Sequence, residues 1–147
     1  MRALIQRVSS AQVSVDGQVT GKIGRGLLVL AGIHKTDTAQ DGDWIAQKLL
    51  TLRIFEDDAG KMGRSVQDMA GGLLVVSQFT LYGDLRKGTR PDFGDSMPGN
   101  RARDFYTAWV KKLRESCPLK IEEGVFAAKM EVSLVNDGPV TIMIDSR

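Results

Sequence analysis

The sequence has very little of the side-chain chemistry on which most enzymes depend. Among 147 residues there is one cysteine, Cys117, and one histidine, His34. A single cysteine excludes an internal disulfide and points to a reducing compartment. One cysteine and one histidine are also too few to form a His/Cys metal cluster within one chain. A Ser-His-Asp triad would have to use His34, which follows the apolar run LLVLAGI and is better explained as a strand-end residue. We therefore expect neither a metal nor a cofactor.

Long apolar runs and nucleotide-binding motifs are also missing. No run approaches the roughly 20 apolar residues that a membrane span requires. The first ten residues, MRALIQRVSS, lack the apolar core of a signal peptide. The glycines of GKIGRG, residues 21–26, do not have the spacing of a phosphate-binding loop. We expect a cytoplasmic protein with no membrane partner, and a net charge of only +2 permits a phosphate-rich partner without demanding one.

What the sequence does contain predicts one mixed domain spanning residues 1–147. Hydrophobic residues make up 42% and charged residues 26%, which is typical of a globular protein. Residues 3–15 alternate in polarity, and Asp16-Gly17 then provides a hairpin turn before the short strand QVTGKIG. The apolar runs 26–33 and 72–81 predict two buried strands.

Two helices are predicted between and after these strands. The first is capped by Thr36 or Thr38, with an apolar stripe formed by Trp44, Ile45, Leu49 and Leu52. The second covers about residues 100–116 and is stopped by Pro118. Its apolar residues Ala102, Tyr106, Trp109, Leu113 and Cys117 share one face. The fold class is therefore α/β in the mixed α+β sense, with two sheets and two main helices.

The segment NDGPVT, residues 136–141, lies between the apolar runs MEVSLV and TIMI. Asp-Gly at this place predicts a hairpin between two strands. Pro139 follows directly, although it cannot donate the N–H that a returning strand would use. The reason for this proline is not evident from the segment alone.

A long loop, residues 82–99, separates the second buried strand from the second helix. Loops of this length are uncommon in compact domains and are often functional. It carries Arg86, Lys87 and Arg90, and from residue 85 to residue 103 the chain has five cations against the two carboxylates Asp92 and Asp95, so the local charge is positive. It is either a solvated loop or a contact for the phosphates of a nucleic acid.

Polar residues interrupt the end of the strand before this loop, in the segment SQFTL. Ser77, Gln78 and Thr80 alternate there with the core-type residues Phe79 and Leu81. Such groups either satisfy local backbone or form a site in which main-chain N–H groups face a ligand. N–H groups of this kind stabilise an oxyanion without any titrating residue.

Taken together, three segments closely resemble the D-aminoacyl-tRNA deacylases. They are SQFTL, the basic loop with TRPDF, and GVFAAKMEVSLVNDGPVT. ALIQRV, GLLVLAGI and RIFEDDAGKM fit the same family in the same order, so the resemblance covers essentially the whole chain. Ala127, where the family commonly has glycine, and Tyr82-Gly83, where small residues are usual, depart from the pattern.

The resemblance implies a three-layer α/β/β homodimer that hydrolyses the ester of D-aminoacyl-tRNA and of mischarged glycyl-tRNA. It also implies that the Gly138-Pro139 peptide is cis and enters the active site of the other subunit, where its two carbonyls exclude an L side chain. Arg7 matches the arginine that fixes these carbonyls across the interface, and Phe126 matches the position that packs on the terminal adenine. On the sequence alone, Arg7 is interpreted as a sheet-surface charge, and Phe126 is equally well explained as an ordinary core residue.

The mechanism implied by the resemblance is assisted by the substrate. The main-chain N–H groups of Phe79 and Thr80 hold the developing negative charge, the vicinal ribose hydroxyl helps the attacking water, and Ser77 and Gln78 line the pocket. We expect no nucleophilic role for the Thr80 hydroxyl, because no adjacent base would activate it. The alternatives are a non-catalytic nucleic-acid-binding homodimer that uses the basic loop, and a small-molecule-binding domain.

Overall fold

The computed structural model describes all 147 residues and contains eight strands, two α-helices and one 3-10 helix. The strands form a six-stranded sheet and a separate two-stranded sheet. The strands are β1 (Arg2–Val15), β2 (Gln18–Ile23), β3 (Gly26–Gly32), β4 (Phe55–Glu56), β5 (Met62–Arg64), β6 (Gly72–Ser77), β7 (Ile121–Glu123) and β8 (Glu131–Asp145). The helices are α1 (Ala39–Thr51) and α2 (Gly99–Ser116), and the 3-10 helix is Phe79–Tyr82.

Strand β1 pairs with three other strands of the large sheet. Strand β1 pairs antiparallel with β3 through residues 2–8 and with β2 through residues 11–15, and β8 lies along its other edge. The predicted turn between β1 and β2 is confirmed, since Asp16 and Gly17 both have the positive φ angles of such a turn, 50° and 76°. Strands β3, β6 and β7 continue the sheet in parallel.

Alternate residues of the two central strands face two different apolar layers. Leu73 and Val75 of β6 belong to the larger core beneath the helices, whereas Leu74 and Val76 join a smaller core with residues of β1 and β2. Strand β2 crosses so close to β6 that a Cβ on Gly21 would lie 3.1 Å from Leu74 Cδ1. The mixed α+β fold with two main helices is thus confirmed, and helices, central strands and β2 form successive layers.

Both helices pack their apolar faces on the larger core. In α2 this face comprises Ala102, Tyr106, Trp109, Val110 and Leu113, of which the sequence spacing predicts all but Val110. The Tyr106 hydroxyl donates to the Val75 carbonyl at 3.1 Å, and Trp109 Nε1 donates to the Gly42 carbonyl at 2.8 Å. The assignment of Trp44 to the buried stripe of α1 is wrong, because its side chain is 37% exposed and Leu50 is buried instead. No helix is both long and apolar enough to cross a membrane.

The first turn of α1 depends on Asp41. Its carboxylate accepts hydrogen bonds from the Thr38 N–H at 2.9 Å and from the Ser146 hydroxyl at 2.8 Å. The Thr38 N–H is the main cause that lowers the pKa of Asp41 to about 2. The ionised form is therefore the one that the fold stabilises.

We expect Asp41→Ala to lower the free energy of unfolding by about 1 kcal/mol at pH 7, the usual cost of losing a helix cap. Because the folded pKa is depressed, this contribution is present above the unfolded pKa of about 3.9 and is lost as the pH falls through the folded value. Urea unfolding at several pH values should show the variant and the parent converging between about pH 5 and pH 2. Asp104→Ala, which removes an exposed carboxylate that forms no ion pair, is the control. If the free energies of unfolding of variant and parent still differed by the same amount at about pH 2, this account would be contradicted.

Two predictions about strand ends are wrong. Residues 131–145 form one continuous strand, β8, so NDGPVT does not join two strands of a hairpin. Four residues, Asp137 to Val140, lie opposite the single residue Arg7 of β1 and form a bulge. Pro139 is tolerated because the bulge removes it from the ladder of hydrogen bonds. The other strand, β6, ends at Ser77 rather than at Leu81, and the chain then turns into the 3-10 helix.

Candidate active site

A cavity of about 570 Å³ opens where β3 and β6 end, beside the start of α2. Four segments of the chain form it. They are the end of β3, the end of β6 together with the turn that follows, residues 96–102, and residues 126–132. Eleven of its fifteen lining residues are hydrophobic, so the few polar groups decide how a ligand is oriented. The lining residues are Ala31, Ile33, Val76, Ser77, Gln78, Phe79, Ser96, Met97, Gly99, Ala102, Phe126, Ala127, Ala128, Met130 and Val132.

Ser77 and Gln78 lie at the wall of this cavity. Ser77 pairs with Ala31 at the end of the parallel β3–β6 ladder. The Gln78 N–H then donates to the Ala31 carbonyl at 2.8 Å, which fixes the point where the chain leaves the sheet. The Gln78 side-chain amide donates to the Thr80 hydroxyl oxygen. Since an amide is not a base, this neighbour does not activate the hydroxyl as a nucleophile.

Phe79 and Thr80 begin the 3-10 helix, and of these two residues Phe79 lines the cavity whereas Thr80 does not. The Leu81 N–H donates to the Gln78 carbonyl at 3.3 Å. The N–H groups of Phe79 and Thr80 precede that bond, and the first N–H groups of a helix have no acceptor within it. The Phe79 carbonyl accepts from the Ser96 hydroxyl at 3.0 Å, which fixes the plane of the Phe79–Thr80 peptide. The Phe79 side chain is not a core residue, because 58% of it is exposed.

Phe126 forms another wall and has two aromatic or cationic neighbours. Its ring centroid lies 5.6 Å from that of Tyr106, with the planes tilted by 46°. The Arg103 guanidinium carbon lies 5.7 Å from the same centroid. Phe126 is half-buried rather than enclosed in the core, and it packs against the larger core from its edge. Ala127, the next residue, has a φ of 62°, a conformation that glycine adopts more readily.

Several lining residues are not identifiable from the sequence as parts of a site. Met97 and Ala102 are buried residues that resemble ordinary core positions. The Met97 N–H donates to the Ile33 carbonyl at 2.9 Å, which attaches the long loop to the end of β3. The available signal is Pro98 directly before α2, because it marks the place where the long loop ends and the first helical turn begins.

Arg7, Gly138 and Pro139 lie on the β1–β8 pair and do not line the cavity of their own chain. The Gly138-Pro139 peptide is cis, and both residues are exposed. Arg7 is buried beneath the bulge; its Nε lies 3.2 Å from the Asp137 carbonyl oxygen and 3.1 Å from Asp137 Oδ2, and its Nη1 donates to the Ile54 carbonyl at 2.6 Å. It is therefore not a sheet-surface charge.

The basic loop is ordered by contacts of its own. Asp84 and Asp92 exchange backbone hydrogen bonds of 2.8 and 2.9 Å. The Arg86 guanidinium binds both carboxylate oxygens of Asp84 and lowers the pKa of that carboxyl to about 2. The charge of Arg86 is thus already offset, whereas Lys87 and Arg90 are exposed and form no ion pair. His34 lies at the end of β3 against the Tyr82 ring, and burial lowers its pKa, as expected of a structural residue.

Comparison with known proteins identifies the family. The sequence model of D-Tyr-tRNA(Tyr) deacylase matches residues 4–145. The D-aminoacyl-tRNA deacylase of Anaeromyxobacter dehalogenans is 58% identical over 147 residues, covering 100% of this chain and 98% of that protein. The protein of the same name from Kosmotoga olearia is 54% identical, again covering 100% and 98%.

Two solved structures share the fold. One, named c-Myc DNA Unwinding Element Binding Protein, has 43% identity and a TM-score of 0.95, with 100% of this chain and 99% of that chain covered. The other, described as a probable eukaryotic D-amino acid tRNA deacylase, has 18% identity and a TM-score of 0.84, with 98% of each chain covered, and supports the fold alone. The chain therefore belongs to the D-Tyr-tRNA(Tyr) deacylase family, and it is a hydrolase that acts on aminoacyl-tRNA.

Proposed function

We propose that the chain hydrolyses the ester of D-aminoacyl-tRNA and of mischarged glycyl-tRNA in the cavity at the end of β6, and that it rejects L-aminoacyl-tRNA. The observation that carries this proposal is the turn after β6. It carries the N–H group of Phe79, which lines a largely apolar cavity, and that of the next residue, Thr80, and neither has an acceptor inside the 3-10 helix. Two adjacent N–H donors are the arrangement that stabilises the oxyanion formed when water attacks an ester.

The reaction needs no titrating side chain in this arrangement. Water attacks the ester carbonyl, its oxygen takes up negative charge, and the N–H groups of Phe79 and Thr80 hold that charge. The ribose hydroxyl next to the ester positions the water, which gives up a proton as it attacks. The C–O bond to the tRNA then breaks, the leaving ribose oxygen takes up a proton, and the amino acid is released. Ser77 and Gln78 orient the substrate, and Phe126 provides an aromatic surface for the terminal adenine. The absence of a base beside Thr80 supports this assignment over covalent catalysis.

We place the L-rejecting element in a homodimer. Gly138 and Pro139 lie on an exposed bulge, outside the cavity of their own chain, so they can act only in the cavity of a second copy. Exposed apolar side chains accompany both regions, Val135 at 57% near the bulge and Phe79 at 58% beside the cavity. Apolar surface of this kind is typical of interfaces. A pair of main-chain carbonyls held there would clash with the side chain of an L-amino acid but not with that of its mirror image.

The RNA contact is assigned to cations without a carboxylate partner. Lys87 and Arg90 in the loop have no such partner. Arg86 is a weaker candidate, because Asp84 already binds its guanidinium. The substrate class implies a cytoplasmic location, where charged tRNA is used.

The deciding experiment follows loss of the ester from D-tyrosyl-tRNA, L-tyrosyl-tRNA and glycyl-tRNA incubated with the protein. We expect release from the D and glycyl substrates and none from the L substrate. Release from the L substrate at a similar rate would contradict the role of the bulge. Binding of all three without release would contradict catalysis altogether.

A non-catalytic nucleic-acid-binding protein is the second candidate. One observation favours it, namely that the structural relative with 43% identity is named as a protein that binds a DNA unwinding element. The ester-release assay separates the two candidates, since a binding protein would retard both tRNA and DNA in a gel without hydrolysing the ester.

A further inference from the structure

We propose that Arg103 binds the phosphate that links the terminal adenosine of the substrate to the rest of the RNA. This assignment rests on the proposed function, because it takes the cavity as the place where the terminal nucleoside lies. It differs from the loop cations in location, since Arg103 lies on α2 at the cavity wall itself.

The first argument is position. The residue before Arg103 in α2, Ala102, lines the cavity, and the Arg103 guanidinium carbon lies 5.7 Å from the ring centroid of Phe126, another lining residue. A nucleoside held in the cavity against Phe126 would therefore have its sugar and phosphate within reach of this side chain. Arginine favours phosphate because its planar fork donates two parallel hydrogen bonds.

The second argument is availability. Arg103 is exposed and forms no ion pair, and of the cations of α2, only it and Arg101 lack a carboxylate within 4.0 Å. Arg86, the loop cation with the best-defined geometry, is held by Asp84. The weak contact of Arg103 with Phe126, near the outer limit of a cation–π interaction, costs little to break when a phosphate arrives.

Charge at the rim adds a third argument. Lys129 lies between the lining residues Ala128 and Met130, is exposed, and forms no ion pair. The segment after β7 that carries Phe126 thus also carries a cation without a carboxylate partner, three residues farther along the chain. A second unpaired cation in a segment that lines the cavity adds to the positive charge that attracts the phosphates of a nucleic acid.

The test compares two substrates that differ in phosphate. One is D-tyrosyl-tRNA, and the other is D-tyrosyl-adenosine, which carries the same ester and ribose but no phosphate. We expect Arg103→Ala to lower kcat/KM for the tRNA about three- to tenfold through KM, the effect of losing one phosphate contact. Turnover of the adenosine ester should not change. A plot of log(kcat/KM) against log[salt] for the tRNA should become shallower by about 0.7, the value for one phosphate of a single strand.

Matched variants make the outcomes distinct. Lys111→Ala removes one positive charge from the same helix, two turns farther from the cavity, and should leave both substrates unaffected. Arg103→Lys should recover part of the activity towards the tRNA. An equal loss with both substrates would overturn the proposal, because it would mean that Arg103 acts through Phe126 and not through phosphate. An unchanged salt slope would overturn it as well. If the parent protein hydrolyses neither substrate, the proposed function itself has failed, and the salt dependence of binding to uncharged tRNA still tests Arg103 by itself.

Discussion

Replacing Phe79 by proline should lower kcat for D-aminoacyl-tRNA by about 10²- to 10³-fold, the usual cost of removing one oxyanion-hole donor. Proline has no N–H, so this change deletes the donor assigned to the oxyanion at position 79. The local backbone accepts proline there, because position 79 is the first residue of the 3-10 helix and the preceding residue, Gln78, has a non-helical ψ of 77°. A steady-state ester-release assay at saturating substrate measures the effect.

The control for this variant is Phe79→Ala, which also loses the exposed ring but keeps the N–H. We expect it to retain activity within about tenfold of the parent, so the ratio of the two variants isolates the N–H group. Thr80→Ala keeps the second N–H and removes only the hydroxyl, and it should likewise retain most of the activity. Equal activities of the two Phe79 variants would contradict the oxyanion role. Abolition of turnover by Thr80→Ala, with fold and tRNA affinity intact, would contradict the substrate-assisted mechanism.

The local pattern of the sequence predicts those elements whose form depends on neighbours in the chain. Alternation in residues 3–15 and the Asp16-Gly17 turn identify β1 and β2, because a hairpin is determined by its own residues. Continuous apolar runs identify β3 and β6, whose two faces contact two different cores. Spacing likewise identifies the buried face of α2.

The two predictions about strand ends failed because each strand end depends on residues that are distant in the sequence. Phe79 has the pattern of a core residue because an apolar run continues through it, yet β6 ends at Ser77 because its partner β3 ends there. NDGPVT has the pattern of a hairpin, yet β1 is long enough to pair with both sides of it, so the same residues form a bulge. Both outcomes depend on the length of a strand elsewhere in the chain, which no local pattern contains.

In the candidate site too, some residues are identifiable from the sequence and others only from the fold. The residues of SQFTL are located by their polarity within an apolar strand and, more specifically, by resemblance to a family. Met97 and Ala102 escape detection, because their side chains are chemically ordinary and only the meeting of the long loop, α2 and the strand ends gives them a role. The burial of Arg7 beneath the bulge is also inaccessible to the sequence, since it requires the register of β1 against β8.

The second large effect is expected from Arg7→Met, which keeps an unbranched apolar stem but removes every side-chain donor. Arg7 gives charged hydrogen bonds to two carbonyl oxygens, those of Asp137 and Ile54. Each such bond contributes about 1.5–3 kcal/mol, so we expect the free energy of unfolding to fall by about 3 kcal/mol. Urea unfolding measures this loss, and the variant must be assayed under conditions where it remains folded.

The more informative consequence of Arg7→Met concerns chirality. The Asp137 carbonyl is part of the bulge that presents Gly138 and Pro139, so a bulge without this anchor should hold its main-chain carbonyls less firmly. Rejection by clash requires a rigid obstacle. If the looser bulge lowers the free-energy difference between the L and D reactions by about 1.4–2.8 kcal/mol, the D-to-L ratio of kcat/KM falls about ten- to a hundredfold. Glycyl-tRNA is the internal control, because glycine has no side chain to clash, and its hydrolysis should change far less than the ratio.

Asp137→Asn separates the two contacts that Arg7 makes with the bulge. It removes the carboxylate of a partly exposed ion pair, which contributes little, and leaves the main-chain carbonyl in place. We therefore expect Asp137→Asn to keep both stability and the preference for D substrates. If Asp137→Asn lost the preference as fully as Arg7→Met, the ion pair and not the carbonyl would position the bulge. If Arg7→Met kept the full preference while folded, the bulge would be held by Asn136 alone, whose amide donates to the Arg7 and Val140 carbonyls at 2.9 and 3.2 Å.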